Sequence, residues 1–222
     1  MKQLPLALAF GAEPSFDSFV AGANTMALHH LRALRAGAAP VYLWGAAGSG
    51  KTHLLRALAL GWQQQGASVG WFDASTCAPW PADERHALVV LDDCDAFDPA
   101  QQQAAFALFV DAATRGTVIA AAGGVPPVDL PLRDDLRTRL GWGHVLQLHP
   151  LSEAQSRAAL RQEADRRGLF LSDEVIGYLL TRFARDLKHL MDLLDRLDDY
   201  ALVHKRAITV PLLKRMLQEA QG

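Results

Sequence analysis

Gly45-Ala46-Ala47-Gly48-Ser49-Gly50-Lys51-Thr52 stands between the apolar run Val41 to Trp44 and a segment, His53 to Gln65, whose Leu54, Leu55, Leu58 and Trp62 recur at helical spacing. Strand, glycine loop and helix in that order make a complete Walker A segment. Its glycines let backbone N–H groups turn inward around phosphate oxygens, where side chains would obstruct them. Lys51 is placed to reach the β- and γ-phosphates, and the Thr52 hydroxyl to bind Mg²⁺. The positive end of the following helix adds to the same site. Gly45, Gly48, Ser49, Gly50, Lys51, Thr52 and His53 are therefore the expected phosphate-binding set, and an α/β core is the expected surrounding.

Outward from that loop, Val69 to Phe72 reads as a second strand and Ala87 to Leu91 as a third. Thr117 to Ala122 reads as a fourth and Val145 to Leu148 as a fifth. Helical segments separate them, which predicts a parallel sheet covered on both faces. One of those helices, about Pro99 to Thr114, is expected to bury Ala105, Phe106, Phe109 and Val110. The third strand ends in Asp92 and Asp93, as a Walker B strand must. Asp92 is expected at the metal, and Asp93 is placed to orient or deprotonate the attacking water. Cys94 and Asp95 read as the loop that follows.

After Pro150 the strand signals stop. Ser152, with Glu153 in the first turn, opens a helix to about Arg167 that Gly168 ends. Ser172 caps a second, Val175 to Phe183. A third, Asp186 to Val203, carries Leu187, Leu190, Met191, Leu194 and Leu197 on one stripe. The last starts at Thr209 and contains Leu212, Leu213, Met216 and Leu217. Four amphipathic helices predict a bundle-like second unit. The expected divisions are a tail over residues 1–14, a nucleotide-binding core over 15–150 and a helical lid over 151–222. Asn24 is expected to cap a helix through about Arg35.

With 222 residues, half of them hydrophobic, the chain is long enough for such a core plus a small appended unit. A net charge of −2, a pI near 6.4 and a mean hydropathy of +0.04 argue against a dedicated nucleic-acid binder, which needs clustered Lys and Arg. Arg161, Arg166 and Arg167 alternate with acids and read as a solvated helix face. Cys77 and Cys94 have no metal or redox spacing, so two free thiols, buried or partly buried in a reducing cytoplasm, are expected over a disulfide. The histidines, the His29–His30 pair included, form no ligand constellation. No apolar run is long enough to cross a membrane, and no secretory signal is evident.

These motifs, in this order, resemble the AAA+ ATPases related to the bacterial replication initiator DnaA, and most closely the Hda-like regulatory inactivators of DnaA. The resemblance runs from Phe16 to Glu219. It implies an AAA+ P-loop core with a five-stranded parallel sheet and a C-terminal α-helical lid, holding ADP or ATP. Phe16 to Asn24 looks like the adenine-side motif, which puts Phe19, Val20 and Asn24 at the nucleotide. Leu136 to Gly143 resembles the arginine-finger segment, and Ala207 to Val210 the start of the last lid helix. Arg139 matches the finger that projects toward a neighbouring subunit's nucleotide, an effect worth roughly 10³–10⁵ in rate. The alternative is a surface arginine paired with Asp134 or Asp135. Arg185 matches the lid arginine that reports on bound phosphates, and its alternative is an ion pair with Asp186.

One position departs from the family pattern. Where relatives place a polar sensor residue after the fourth strand, Ala121 to Pro127 offers Gly124, which has no group to align water. Nucleotide binding is thus expected with weak hydrolysis or none. The ends carry two more expectations. The chain stops directly after the lid, without the initiator's DNA-binding domain. It begins with Gln3-Leu4-Pro5-Leu6-Ala7-Leu8, which looks like a peptide for the DNA polymerase III β sliding clamp. Gln3, Leu4, Leu6 and Leu8 are the candidate contacts, with Phe10 outside them; a tail folded onto the core is the other reading. The resemblance implies a negative regulator of replication initiation, acting in the cytoplasm on DnaA and meeting DNA only through the clamp. A homodimer stays open. The competing readings are an autonomous DnaA-like or helicase-loader-like ATPase and, more remotely, a small-molecule P-loop kinase.

Overall fold

The structure, a computed structural model, describes residues 14–81, 83–183, 187–204 and 207–219. Helix α1 (Thr25–Ala33) leads into strand β1 (Val41–Trp44). Helix α2 (Lys51–Gln64) follows the glycine loop and returns the chain to β2 (Ser68–Phe72). The core continues through β3 (His86–Leu91), α3 (Pro99–Arg115), β4 (Val118–Gly123), α4 (Asp134–Gly141) and β5 (His144–Gln147). Four helices form the lid: α5 (Glu153–Arg166), α6 (Asp173–Phe183), α7 (Leu187–His204) and α8 (Val210–Glu219).

All strand pairings are parallel, in the order β2-β3-β4-β1-β5. Parallel neighbours need a crossover, and α2, α3 and α4 supply them. Successive residues on a strand face opposite sides, so each strand feeds two cores. Tyr42, Val89, Leu91, Ile119 and Ala121 pack with Ala105, Leu108, Phe109, Leu136 and Leu140 on the side of α3 and α4. Val41, Leu43, Leu88, Val90, Val118 and Ala120 pack with Leu31, Leu54, Leu55 and Leu58 on the side of α1 and α2. The expected sheet, covered on both faces, is observed, with most strand limits displaced by one residue.

Three readings need correction, and one segment gains a helix. On α3 the buried set is Ala105, Leu108, Phe109 and Ala112, while Phe106 is half-buried and Val110 exposed. The spacing i, i+3, i+4, i+7 selects one stripe, and Phe106 and Val110 lie to its sides. Asn24 precedes α1 but makes no side-chain capping bond, because tertiary partners take its amide. Cys77 is exposed, not sheltered, and Cys94 alone is buried. The segment around Arg139 forms a helix of its own, α4, opened by Asp134 and Asp135 and held by buried Leu136 and Leu140.

Helix starts follow capping chemistry. Before α3, Asp98 and Gln101 bond each other's backbone N–H at 2.8 and 2.9 Å. Ser152 and Gln155 do the same before α5. The lid closes over its own core of Leu160, Leu179, Leu194, Leu197 and Leu213; of the expected α7 stripe Leu190, Leu194 and Leu197 are buried and Met191 partly so, Leu187 is not in the core, and Leu193 joins it. No helix among the described residues is long and apolar enough to cross a membrane.

Candidate nucleotide site

Trp44 lies in register with Gly123, and Leu91 with Ala121. The glycine loop after β1, the acids after β3 and the glycines after β4 therefore share one edge of the sheet. Carboxyl ends of parallel strands are where ligands bind in such folds.

The loop works by close approach. Gly50 holds φ at +96°, and a Cβ there would lie 2.6 Å from the Phe19 ring. A Cβ on Gly45 would stand 2.2 Å from the Leu148 carbonyl oxygen. Lys51 reaches back over the loop, its Nζ donating to the Gly45 carbonyl at 2.8 Å and the Ala46 carbonyl at 3.3 Å. Ser49 is buried, and its Oγ is a buried hydroxyl without a hydrogen-bond partner among the described residues. A backbone cradle that side chains would fill, a poised ammonium and an unspent buried hydroxyl fit a phosphate chain.

Asp92 is only 3% exposed at the end of β3, and the Asp93 N–H donates to its Oδ1 at 3.1 Å. Burial pushes the Asp92 carboxyl up, opposed by the Thr52 hydroxyl and Lys51. Asp93 is exposed and holds the left-handed conformation at φ +52°, a strained arrangement for a residue with a Cβ. It turns the chain sharply into the 3₁₀ segment Cys94–Ala96.

The end of β4 is different. The Gly124 N–H donates to Asp95 Oδ1 at 3.0 Å, and a Cβ on Gly124 would come 3.2 Å from Asp95 Oδ2. A Cβ on Gly123 would lie 2.2 Å from the Tyr42 hydroxyl, which donates to the Val125 carbonyl at 2.9 Å. Where a polar sensor would project, the chain offers bare backbone with a carboxylate packed against it. Reading residue by residue assigned Asp95 to a loop and missed this pairing. The signal available was the coincidence of an acid three residues past Asp92 with a glycine pair after the next strand.

In the segment expected to face the adenine, Phe19 lies against Gly50 and tilts toward the His53 ring at 5.7 Å between centroids. His53 Nε2 lies 3.0 Å from the Ser15 carbonyl; a carbonyl only accepts, so this nitrogen carries the proton. Burial holds the His53 pKa below its ordinary value, the Ser15 carbonyl opposing. Val20, beside Phe19, is half-buried. Asn24 is buried and spends both ends of its amide on His149: Nδ2 donates to the His149 carbonyl at 2.9 Å, and Oδ1 accepts from its N–H at 2.7 Å. That pairing pins the start of α1 to the strand that leads to the lid.

Arg139 is not with this group. It is half-buried on α4, with its guanidinium 5.9 Å from the centre of the Phe106 ring. Asp134 pairs with Arg137, and Asp135 with Arg133 at 2.7 Å, so neither acid takes Arg139 as the surface alternative required. Arg185 and the tail residues Gln3, Leu4, Leu6, Leu8 and Phe10 lie outside the described residues. Among the described residues no group of three or more His, Cys, Asp or Glu could hold a metal ion.

Comparison with known proteins gives the same picture. The model of the Hda lid domain matches residues 153–217, and that of the bacterial DnaA ATPase domain matches residues 11–70. An uncharacterized protein of Haemophilus influenzae is 32% identical over 227 residues, covering 97% of this chain and 98% of that one. Domain III of the Thermotoga maritima replication initiation protein DnaA superposes with a TM-score of 0.78 at 19% identity, covering 94% of this chain and 97% of that one. AMPPCP-bound DnaA from Aquifex aeolicus gives 0.69 at 20% identity over 86% of this chain and 66% of that one. The Thermotoga maritima RuvB branch migration motor gives 0.57 at 15% identity over 81% and 61%. By its P-loop core, its lid and these matches, the chain belongs to the Hda-like, DnaA-related AAA+ proteins.

Proposed function

We propose that this protein holds an adenine nucleotide, ADP or ATP with Mg²⁺, and lowers replication initiation by stimulating ATP hydrolysis in DnaA. Arg139 acts in trans, entering the initiator's nucleotide site. The observation that carries this reading is the state of that arginine: on the short helix α4, over the Phe106 ring, with the neighbouring acids already paired. A guanidinium that no acid among the described residues compensates suits an anion supplied by a partner. The glycine-and-carboxylate end of β4 supports the other half, since it gives this chain little means of aligning water for its own hydrolysis.

Within the nucleotide site the residues divide by task. Gly45, Gly48, Ser49, Gly50 and Lys51 hold phosphates; Thr52 and Asp92 hold Mg²⁺, which would neutralise phosphate charge. Phe19, Val20 and His53 wall the adenine side, and Asn24 fixes the segment that carries them. Asp93 retains the position of a base. Arg185 reads the phosphates from the lid, which links nucleotide state to the angle between lid and core.

The tail residues Gln3, Leu4, Leu6 and Leu8 bind the DNA polymerase III β sliding clamp, so DNA is met indirectly. A short tether gives an effective concentration of order millimolar, and neither contact then needs high affinity. The test is hydrolysis of ATP bound to DnaA, with clamp on DNA and with ADP present. Wild-type protein accelerates it; Arg139→Ala abolishes the acceleration while nucleotide and clamp binding persist. Normal stimulation by Arg139→Ala would falsify the finger assignment.

A further inference from the structure

The exposed Trp142 sits three residues after Arg139, one helical turn along, at the end of α4. It is 73% exposed, in a protein that buries most of its large apolar side chains. Its mounting is rigid. The Trp142 N–H donates to the Arg139 carbonyl at 3.3 Å. The next residue, Gly143, presses against Pro40 so closely that a Cβ would stand 1.8 Å from the Pro40 carbonyl oxygen. The same carbonyl accepts the His144 N–H at 2.8 Å, where β5 begins. Backbone on both sides is fixed, which sets where the exposed indole leaves the chain.

A Cβ on Gly141 would rest 3.5 Å from Pro127, so the end of α4 leans closely on the 3₁₀ turn Pro127–Asp129. That turn carries another exposed apolar residue, Val128, at 75%. The charges nearby are spent: Arg133 on Asp135 and Arg137 on Asp134. Among the described residues α4 therefore presents one cation without an acidic partner, Arg139, one helical turn from the exposed Trp142 side chain.

We infer that Trp142 is the anchor by which this protein docks onto the nucleotide-bearing face of its AAA+ partner, seating in an apolar recess within one helical turn of the partner's phosphates. The inference rests on the reading that Arg139 acts in trans. It adds a division of labour: Trp142 supplies affinity and Arg139 supplies rate. Complementarity selects the partner, because a lone cation beside apolar surface matches an anion with an apolar rim. A fully hydrated polyanion would call for several cations. A tryptophan has only two side-chain torsions to lose on docking, and such side chains dominate binding energy at protein interfaces.

The experiment uses the full chain with ADP and ATP-loaded DnaA, reading binding and hydrolysis separately. Trp142→Ala weakens binding about 30-fold or more, the scale of an interface hot spot, with nucleotide affinity and melting temperature unchanged. Trp142→Phe recovers most of the binding. Arg139→Ala binds nearly as wild type and loses hydrolysis. If wild-type protein binds and Trp142→Ala binds equally well, the anchor is overturned and the finger reading stands. If wild-type protein does not engage DnaA at all, the finger reading falls and the anchor with it. If Trp142→Ala abolishes self-association in sedimentation but not DnaA binding, the partner of this face is a second copy, and the inference is wrong.

Discussion

The two ends of the candidate nucleotide site, a few ångströms apart on one sheet edge, are built to different standards. After β1 every element needed to hold phosphate is in place: glycines packed too tightly for a side chain, Lys51 over the loop and a buried Ser49 hydroxyl. After β4 the chain offers Gly123 and Gly124, with Asp95 bonded to the Gly124 backbone. Holding a nucleotide and splitting it make separate structural demands. Binding needs convergent donors, whereas hydrolysis also needs a water held in line. A protein can keep the first and lose the second, and its nucleotide then serves as a structural signal.

Perturbing the cradle should have the largest effect. Lys51→Ala removes the charge-assisted contact to the phosphates and is expected to weaken nucleotide binding about 100-fold, roughly 2.7 kcal/mol, by calorimetry. Unchanged affinity would mean that the cradle is not the binding site. Gly50→Ala should weaken binding less, because the Phe19 ring must move from 2.6 Å and a left-handed backbone must accept a side chain. The expected loss is of order tenfold, about 1–2 kcal/mol, accompanied by a lower melting temperature.

The β4 end makes the converse prediction. Gly124→Asn alone should leave turnover near wild type, because its Cβ meets the Asp95 carboxylate at 3.2 Å. Combining it with Asp95→Ala removes both that charge and the obstructing atoms and is expected to raise intrinsic ATP turnover by about tenfold, modest beside the hundredfold or more that a well-placed donor can contribute. Equal activity in the single and double variants would break the proposed opposition between Gly124 and Asp95.

The smallest effect belongs to the lid, far from either end. Glu163 bonds Arg166 and Arg167, each at 2.6 Å, and Arg166 first among causes holds its carboxyl below the usual range, with burial opposing. Its contribution is complete above the ordinary glutamate value and is lost as pH falls through the lowered one. Glu163→Gln is expected to cost about 1 kcal/mol at neutral pH, with the two proteins converging in acid. Nucleotide affinity at neutral pH should stay unchanged.

The contrast between the two ends also explains what could be read from the chain. Local features were legible: the glycine loop is eight contiguous residues, the strands announce themselves as short apolar runs, and α7 by its leucine stripe. Asp95 was not, because its partner Gly124 lies 29 residues away and only the adjacency of β3 and β4 joins them. Asn24 read as a cap for the same reason; its true partner is His149, 125 residues on. Phe106 and Val110 were misplaced because helical periodicity tolerates more than one stripe until the sheet selects it. Arg139 took its role from family resemblance, and its lack of an acidic partner became visible only when Arg133 and Arg137 claimed Asp135 and Asp134.

Where hydrolysis occurs can be measured directly by mixing DnaA and ATP with a variant unable to use its own base, Asp93→Asn. If the reacting nucleotide belongs to DnaA and Arg139 completes that site, the mixture hydrolyses ATP at the wild-type rate. A rate that falls in proportion to the loss of Asp93 would place the reaction in this protein's own pocket and contradict action in trans.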